Sequence, residues 1–333
     1  MNYDKYTAIV KRFSNKQNIT LESLTRSLNW SRVETHNLLE KLSSYGYPLQ
    51  FGKNDLIEVS NTLDLYTAAS MLKSINSVLK NTEVSIFIFV SIDSTNTYLK
   101  SLQNTENRLL ICLTEQQTDG RGRRGKKWTS PFGQNVYMSM RKRVKVTPLN
   151  SMSISLIVGL SVVDALEALG YTGLQIKWPN DIYCFEKKLA GILIEVVSVK
   201  SNSIEVIIGI GLNVKVSREA ANKIDQEWID LSSASENIPP SKDTLVTKIT
   251  TTVCSYLHIF EADGLSAFRE MWKRYDFLLS KKVKIQYENG VEYGVAEGIS
   301  RHGELLVKGE NDEQIVVNAG EVSVRLQEKV QEG

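Results

Sequence analysis

Five cations, Arg121, Arg123, Arg124, Lys126 and Lys127, share the segment GRGRRGKKW at 120–128 with three glycines and no acid. Glycine lets backbone N–H groups approach an anion closely, and arginine offers bidentate contacts to phosphate or carboxylate. The segment therefore reads as a flexible, anion-seeking loop. Gly120, Gly122 and Gly125 satisfy the GxGxxG expression, but the turn-like WTSPFG follows where a dinucleotide site would open a helix. Gly120, Gly125 and Lys126 nearly satisfy the P-loop pattern, yet Lys127 stands where the magnesium-binding hydroxyl belongs. Neither nucleotide-binding fold is expected.

Two further polar clusters interrupt strand-like patterns, and two apolar segments carry internal glycines. SIDSTN at 91–96 places Ser94, Thr95 and Asn96 after an apolar strand, as compact partners for a neutral polar ligand group or as an N-cap. In KWPNDIY at 177–183, Lys177, Asn180 and Asp181 bracket Pro179 as a site or as an Asx turn. KKLAGILIE sets Lys188 before an apolar strand that contains Gly191, and IIGIGLNV carries Gly209 and Gly211 and includes Asn213. Glycine inside a strand marks either close approach by a ligand or a bulge. The histidines, His36, His258 and His302, lie outside any HxH or HExxH context, and GxSxG is absent. Cys112, Cys184 and Cys254 show no CxxC spacing. Zinc hydrolases, serine hydrolases and disulfide scaffolds are thereby disfavoured.

Bulk composition adds bounds. The 40 basic and 38 acidic residues leave a net charge of +2, so any anion site must come from local clustering. With 333 residues, 42% hydrophobic and 23% charged, the chain is an ordinary soluble protein of two or three domains. The most apolar stretch, 154–169, is broken by Asp164 and Glu167 and is too short to span a bilayer. The N-terminus lacks a secretory h-region, and a cytoplasmic location is expected.

The elements that must position these residues follow from periodicity. Three short helical segments are predicted between Tyr3 and Asn61. Thr20 caps the second, and Ser31 with Glu34 forms a capping box that opens a helix at Arg32. Helix, tight turn and helix make a helix-turn-helix shape, and YGYPLQFGKNDLIEV adds a hairpin or wing. Arg32, His36 and Lys41 could meet phosphates or bases, but Glu34 and Glu40 share the helix, and residues 1–60 hold eight basic against six acidic residues. A helix is predicted near 66–80 and a buried strand at 84–90. Further strands are predicted at 109–114, 135–140, 175–178, 188–197 and 204–211, around a helix from Ser151 to Gly170. Without regular βαβ alternation, this pattern is α+β with a mixed sheet. Helices at 242–261 and 265–275 precede alternating strands, with a hairpin at Asn289–Gly290, and these predict a small β-barrel.

Taken in this order, the segments resemble the biotin protein ligases, specifically the bifunctional class that also represses biotin synthesis genes. The resemblance implies an α+β multidomain chain. Its parts would be a winged helix-turn-helix at 1–64, a central mixed-sheet α/β catalytic domain related to class II aminoacyl-tRNA synthetases at 65–277, and an SH3-like β-barrel at 278–333. It implies that ATP and biotin give biotinyl-5′-AMP and pyrophosphate, and that the adenylate then acylates one lysine of the biotin carboxyl carrier protein of acetyl-CoA carboxylase. Ser94, Thr95, Asn96, Gln117, Gly120, Arg121, Gly122, Arg123 and Lys188 fall at biotin-binding positions, with Gly191 on an apolar wall. Arg123, Arg124, Trp128, Asn180, Lys188 and Asn213 fall on the nucleotide side. Arg121, Arg123, Asp181 and Lys188 are the implied catalytic residues, with Mg²⁺ held mainly by the ATP phosphates. Ser31, Arg32, Thr35 and His36 fall at DNA-binding positions, although the wing is reduced to FGKND, with Asp55 close to Lys53. A ligand-linked homodimer on a palindromic operator is also implied. A lipoate-type acyl ligase and a DNA-binding sensor without catalysis are the competing readings.

Overall fold

The computed structural model describes residues 3–13, 18–60, 63–103, 108–147, 152–222, 224–288, 290–319 and 322–326. The chain divides into two compact units. One comprises Met1–Met140, Gly209–Asp225 and Asp230–Thr247; the other comprises Arg141–Ile208, Gln226–Ile229 and Lys248–Gly333.

In the first unit, α1 (Tyr3–Phe13) and β1 (Asn18–Thr20) lead into α2 (Leu21–Leu28). Thr20 caps α2 by accepting from Ser23 N at 3.2 Å, and Asn29, at φ 57°, ends it. Ser31 opens α3 (Arg32–Tyr45) by accepting from Glu34 N at 3.1 Å, and Gly46, at φ 100°, closes it. β2 (Leu49–Phe51) and β3 (Leu56–Val59) complete an antiparallel sheet ordered β1-β3-β2. Tyr6, Ile9, Phe13, Leu24, Leu39 and Leu42 form the core here, and Val90 and Phe132 belong to the same apolar cluster. Tyr45 stacks on Phe132 with ring centroids 6.0 Å apart.

Next come α4 (Ala68–Val78), β4 (Glu83–Phe89), α5 (Thr95–Ser101), β5 (Arg108–Thr114), β6 (Asn135–Val144) and α6 (Ser153–Glu167). They are followed by β7 (Leu174–Lys177), β8 (Asp181–Cys184), β9 (Lys187–Lys200) and β10 (Ser203–Asn213). The seven strands of this sheet run in the order β4-β5-β6-β10-β9-β8-β7. It is mixed: β4 and β5 are parallel, whereas β7, β8 and β9 are antiparallel. α6 is apolar and buried over most of its length, as a helix packed into a core must be, with Asp164 and Glu167 half-buried near its C-terminal end.

The strand expected to be buried at 84–90 is instead an edge strand, β4, and is mostly half-buried. An apolar run reports β character but not its place in the sheet. Phe87 and Phe89 cover Tyr98 of α5 at 5.3 and 4.7 Å. β8 begins inside the KWPNDIY cluster, where no strand was expected. Ser151 and Asn289 lie outside the described residues.

After α7 (Arg218–Ala221), α8 (Leu231–Ala234), α9 (Lys242–Asp263) and α10 (Arg269–Tyr275), the chain ends in β11 (Lys282–Gln286), β12 (Val291–Ile299), β13 (Leu305–Gly309), β14 (Gln314–Val317) and β15 (Ser323–Leu326). These form an antiparallel sheet ordered β14-β13-β12-β11-β15. Among the described residues, no helix is long and apolar enough to cross a membrane.

Candidate active site

The neutral cluster and the cationic segment meet in the first unit. Ser94, Thr95 and Asn96 are buried at the start of α5. Ser94 occupies the N-cap position, but its hydroxyl makes no capping bond, so helix capping does not explain this residue. Gln117 Oε1 accepts from Thr95 N at 3.0 Å and lies 3.2 Å from Thr95 Oγ1, while Gln117 Nε2 donates to Ser130 Oγ at 3.2 Å. Ser139, on β6, lies within 2.6 Å of Thr95 Oγ1 and 2.5 Å of Asn96 Oδ1. It is fully buried, and sequence reasoning missed it. The signal was present as one serine inside the otherwise bulky run VYMSM.

The 120–128 segment is a small hydrogen-bonded hairpin, where a flexible loop was expected. Trp128 N donates to Gly120 O at 2.8 Å, Gly122 N to Lys126 O at 2.6 Å, and Lys126 N to Arg123 O at 3.1 Å. Arg124 and Gly125, at φ 55° and 72°, form the tip, as a primed hairpin turn requires. Arg121, Arg124, Lys126 and Lys127 are exposed, and Arg123 is half-buried. Arg121 donates to Thr97 Oγ1 at 3.1 Å, next to the Ser94–Asn96 cluster. A Cβ on Gly120 would lie 2.5 Å from Trp128 O, so only glycine lets the base of the hairpin close.

The glycines of β10 do accommodate a close approach, but by side chains of the protein. A Cβ on Gly209 would lie 2.4 Å from Asn96 Oδ1, and one on Gly211 would lie 2.5 Å from Trp128 Cε2. Trp128 therefore lies against the bare backbone of Gly211. Asn213 is buried at the end of the same strand. Gly211→Ala should displace the indole. Overpacking of this kind costs about 1–3 kcal/mol, and the expected result is a shifted tryptophan emission. Unchanged emission would show that Gly211 does not seat the indole.

In the second unit, β8 and β9 bring Asp181 and Lys188 together through an irregularity. Asp181 pairs with Gly191 and Ile182 with Ala190, but Tyr183 pairs with Lys188, skipping Leu189. Residues 181 and 183 share one face of β8, so this bulge turns Lys188 to the face of Asp181 and Gly191; an unbroken register would turn it away. Lys188 Nζ sits 2.9 Å from Asp181 Oδ2, with the side chains 13% and 24% exposed. Asn180 Nδ2 donates to Ile192 O at 2.7 Å and Ile192 N to Asn180 O at 2.9 Å, tying the loop before β8 to β9. Trp178 Nε1 donates to Gly303 O at 2.9 Å, which anchors the same loop on the C-terminal sheet's turn. Lys177 approaches the Tyr183 ring at 5.3 Å.

The residues expected to meet DNA have different fates. Thr35 is fully buried and its hydroxyl donates to Ser31 O at 2.9 Å, which removes it from the surface of α3. Ser31 caps the helix. Arg32 pairs with Asp55 Oδ2 at 2.6 Å, and His36 Nδ1 lies 3.7 Å from Glu40 Oε1. The wing carboxylate thus offsets one of the cations on the helix.

No group of three or more His, Cys, Asp or Glu residues that could hold a metal occurs among the described residues. Burial pushes the Cys112 thiol well up and the Cys184 and Cys254 thiols to about 11, so these groups are poor nucleophiles.

Comparison with known proteins identifies the family. Residues 88–213 match the Biotin/lipoate A/B protein ligase family, and residues 279–325 match the Biotin protein ligase C terminal domain. The bifunctional ligase/repressor BirA of Escherichia coli (strain K12) is 30% identical over 308 residues, covering 92% of this chain and 93% of that protein. That of Salmonella typhimurium is 33% identical over 313 residues, with 92% and 93% covered. The Aquifex aeolicus biotin protein ligase solved with biotin and ATP superposes with a TM-score of 0.61 at 28% identity, covering 74% of this chain and 99% of that one. Cationic hairpin, buried neutral cluster and full-length similarity converge: the chain belongs to the biotin protein ligase family.

Proposed function

We propose that the protein activates biotin with ATP as biotinyl-5′-AMP and transfers the biotinyl group to one lysine of a biotin carboxyl carrier protein. One observation carries this reading: a buried, uncharged hydrogen-bonding cluster lies beside a hairpin rich in cations and free of acids. Such a site suits an acid whose far end is a neutral cyclic urea and whose reacting end is anionic. Ser94, Thr95 and Gln117 hold the ureido group. Arg121, Arg123, Arg124 and Lys188 offset charge as the biotin carboxylate attacks the α-phosphorus and pyrophosphate leaves. Trp128 lies against the adenine, and Asn180, Asp181 and Asn213 serve the nucleotide side. Mg²⁺ bound mainly by ATP phosphates needs one or two carboxylates at most, and Asp181 is the carboxylate beside Lys188. The ion supplies neutralisation of phosphate charge. In the second step the lysine amine attacks the mixed anhydride and AMP leaves, so no protein nucleophile is required. Folding of the hairpin over the adenylate would exclude water and protect the anhydride. Incubation with ATP, Mg²⁺, biotin and a carrier domain should add one biotinyl group by intact mass, and replacing the acceptor lysine with arginine should abolish it.

A second reading, ligand-linked repression, is favoured by α2 and α3 joined across Asn29–Ser31 and followed by the β2–β3 hairpin, the arrangement of a winged helix. Two of the relatives named above are bifunctional ligase/repressors. Biotin with ATP should double the sedimenting mass and create binding to a palindromic operator upstream of biotin synthesis genes. An unchanged mass at micromolar concentration would count against it.

A further inference from the structure

The Ser139 hydroxyl has one proton and two oxygen neighbours, Thr95 Oγ1 at 2.6 Å and Asn96 Oδ1 at 2.5 Å, and all three side chains are buried. Contacts this short each need a proton between the oxygens. With Asn96 Oδ1 as the atom facing Ser139, one direction supplies both: Thr95 donates to Ser139, and Ser139 donates to Asn96 Oδ1. The reverse, in which Thr95 donates to Gln117 Oε1 at 3.2 Å and Ser139 to Thr95, leaves the 2.5 Å contact as opposed lone pairs. Gln117 Oε1 loses nothing in the favoured arrangement, because Thr95 N already donates to it at 3.0 Å.

We infer that Ser139 is a positioning residue that draws the Thr95 proton into the core, so that Thr95 Oγ1 faces the ligand as an acceptor and selects an N–H donor. This deepens the biotin reading and rests on it, because a cyclic urea presents N–H donors and a dithiolane or an ester does not. Gly209 belongs to the same device, since any larger residue would displace Asn96 Oδ1, the end of the chain.

The test uses the full chain with ATP and Mg²⁺, reading pyrophosphate release with biotin and with a cyclic carbamate analogue in which ring oxygen replaces one urea N–H. Wild-type activity with biotin is the control that separates failure of the ligase reading from failure of this one. Ser139→Ala should raise KM for biotin about 10- to 100-fold, the range expected when a buried hydrogen-bonding group is orphaned. KM for ATP and kcat at saturating biotin should stay within roughly twofold. The preference for biotin over the carbamate should narrow, because Thr95 becomes able to turn its proton outward. A merely structural role would leave that preference untouched. Ser139→Cys keeps the size with a weaker donor and should fall between wild type and alanine, so it decides the matter if the alanine variant does not fold. An unchanged KM and an unchanged preference in a folded variant would overturn the inference.

Discussion

Lys242→Met should destabilise the protein by about 3–5 kcal/mol, the cost of leaving a buried charge without its partner, with a fall in Tm on the order of 10 °C. Lys242 Nζ meets Glu115 Oε2, and the side chains are 2% and 0% exposed. Glu115 Oε1 also accepts from Tyr3 OH at 2.5 Å and from Tyr66 N at 3.2 Å. Lys242 N donates to Asp64 Oδ2 at 2.5 Å, and its ammonium lies 4.2 Å from the centre of the Tyr66 ring. Burial first, and then the Glu115 charge, raise the pKa of the Tyr3 phenol, so it remains a donor. Three segments converge on the carboxylate that follows β5: the start of α1, residues 64–66 and the start of α9. Replacing both partners, in Lys242→Met with Glu115→Gln, removes the stranded charge and should recover most of the loss, leaving a deficit of about 1 kcal/mol. Thermal and urea unfolding of the single and double variants measures this directly. A single variant as stable as wild type would show that the pair is not buried in solution.

Lys188→Ala should slow adenylation about 10²- to 10³-fold, the usual loss when a cation that stabilises developing phosphate charge is removed. The expected loss falls on kcat and on kcat/KM alike, the pattern of an interaction made in the transition state. Lys188 also bonds through its backbone, donating from N to Glu227 O at 3.2 Å and accepting at O from Ile229 N at 3.0 Å. Alanine preserves both contacts, so the loss can be assigned to the side chain. Asp181, at 2.9 Å, holds the ammonium in place. Single-turnover rates of adenylate formation with saturating ATP and biotin check the prediction, and a near-normal rate would remove Lys188 from the chemistry.

What the sequence made legible was local. The cations and glycines of 120–128, the hydroxyls of 94–96 and the Ser31 cap are read from neighbours within a few residues, and the structure keeps each of those groups together. Helix and strand positions across the central region follow from periodicity, which reports which face of an element is apolar. It does not report sheet order, so β4 was expected in the interior and lies at an edge. Nor does it report register: the skip at Leu189 that turns Lys188 towards Asp181 has no signature in KKLAGILIE. The pairing of Gly211 with Trp128, of Gly209 with Asn96 and of Glu115 with Lys242 joins residues far apart in the chain, and no spacing rule reaches across such distances. Thr35 shows the opposite error. Its position on α3 suggested surface chemistry, but the apolar stripe of that helix places it in the core.

Pyrophosphate release by the full chain, with ATP and Mg²⁺ and either biotin or lipoate and no carrier protein present, tests the central claim most directly. Biotin should give a burst of pyrophosphate matching the enzyme concentration, with the adenylate retained, and lipoate should give none above the ATP-only background. Release with lipoate but not biotin, or with neither acid, would contradict the assignment of the neutral cluster to a cyclic urea and of the cationic hairpin to adenylate formation.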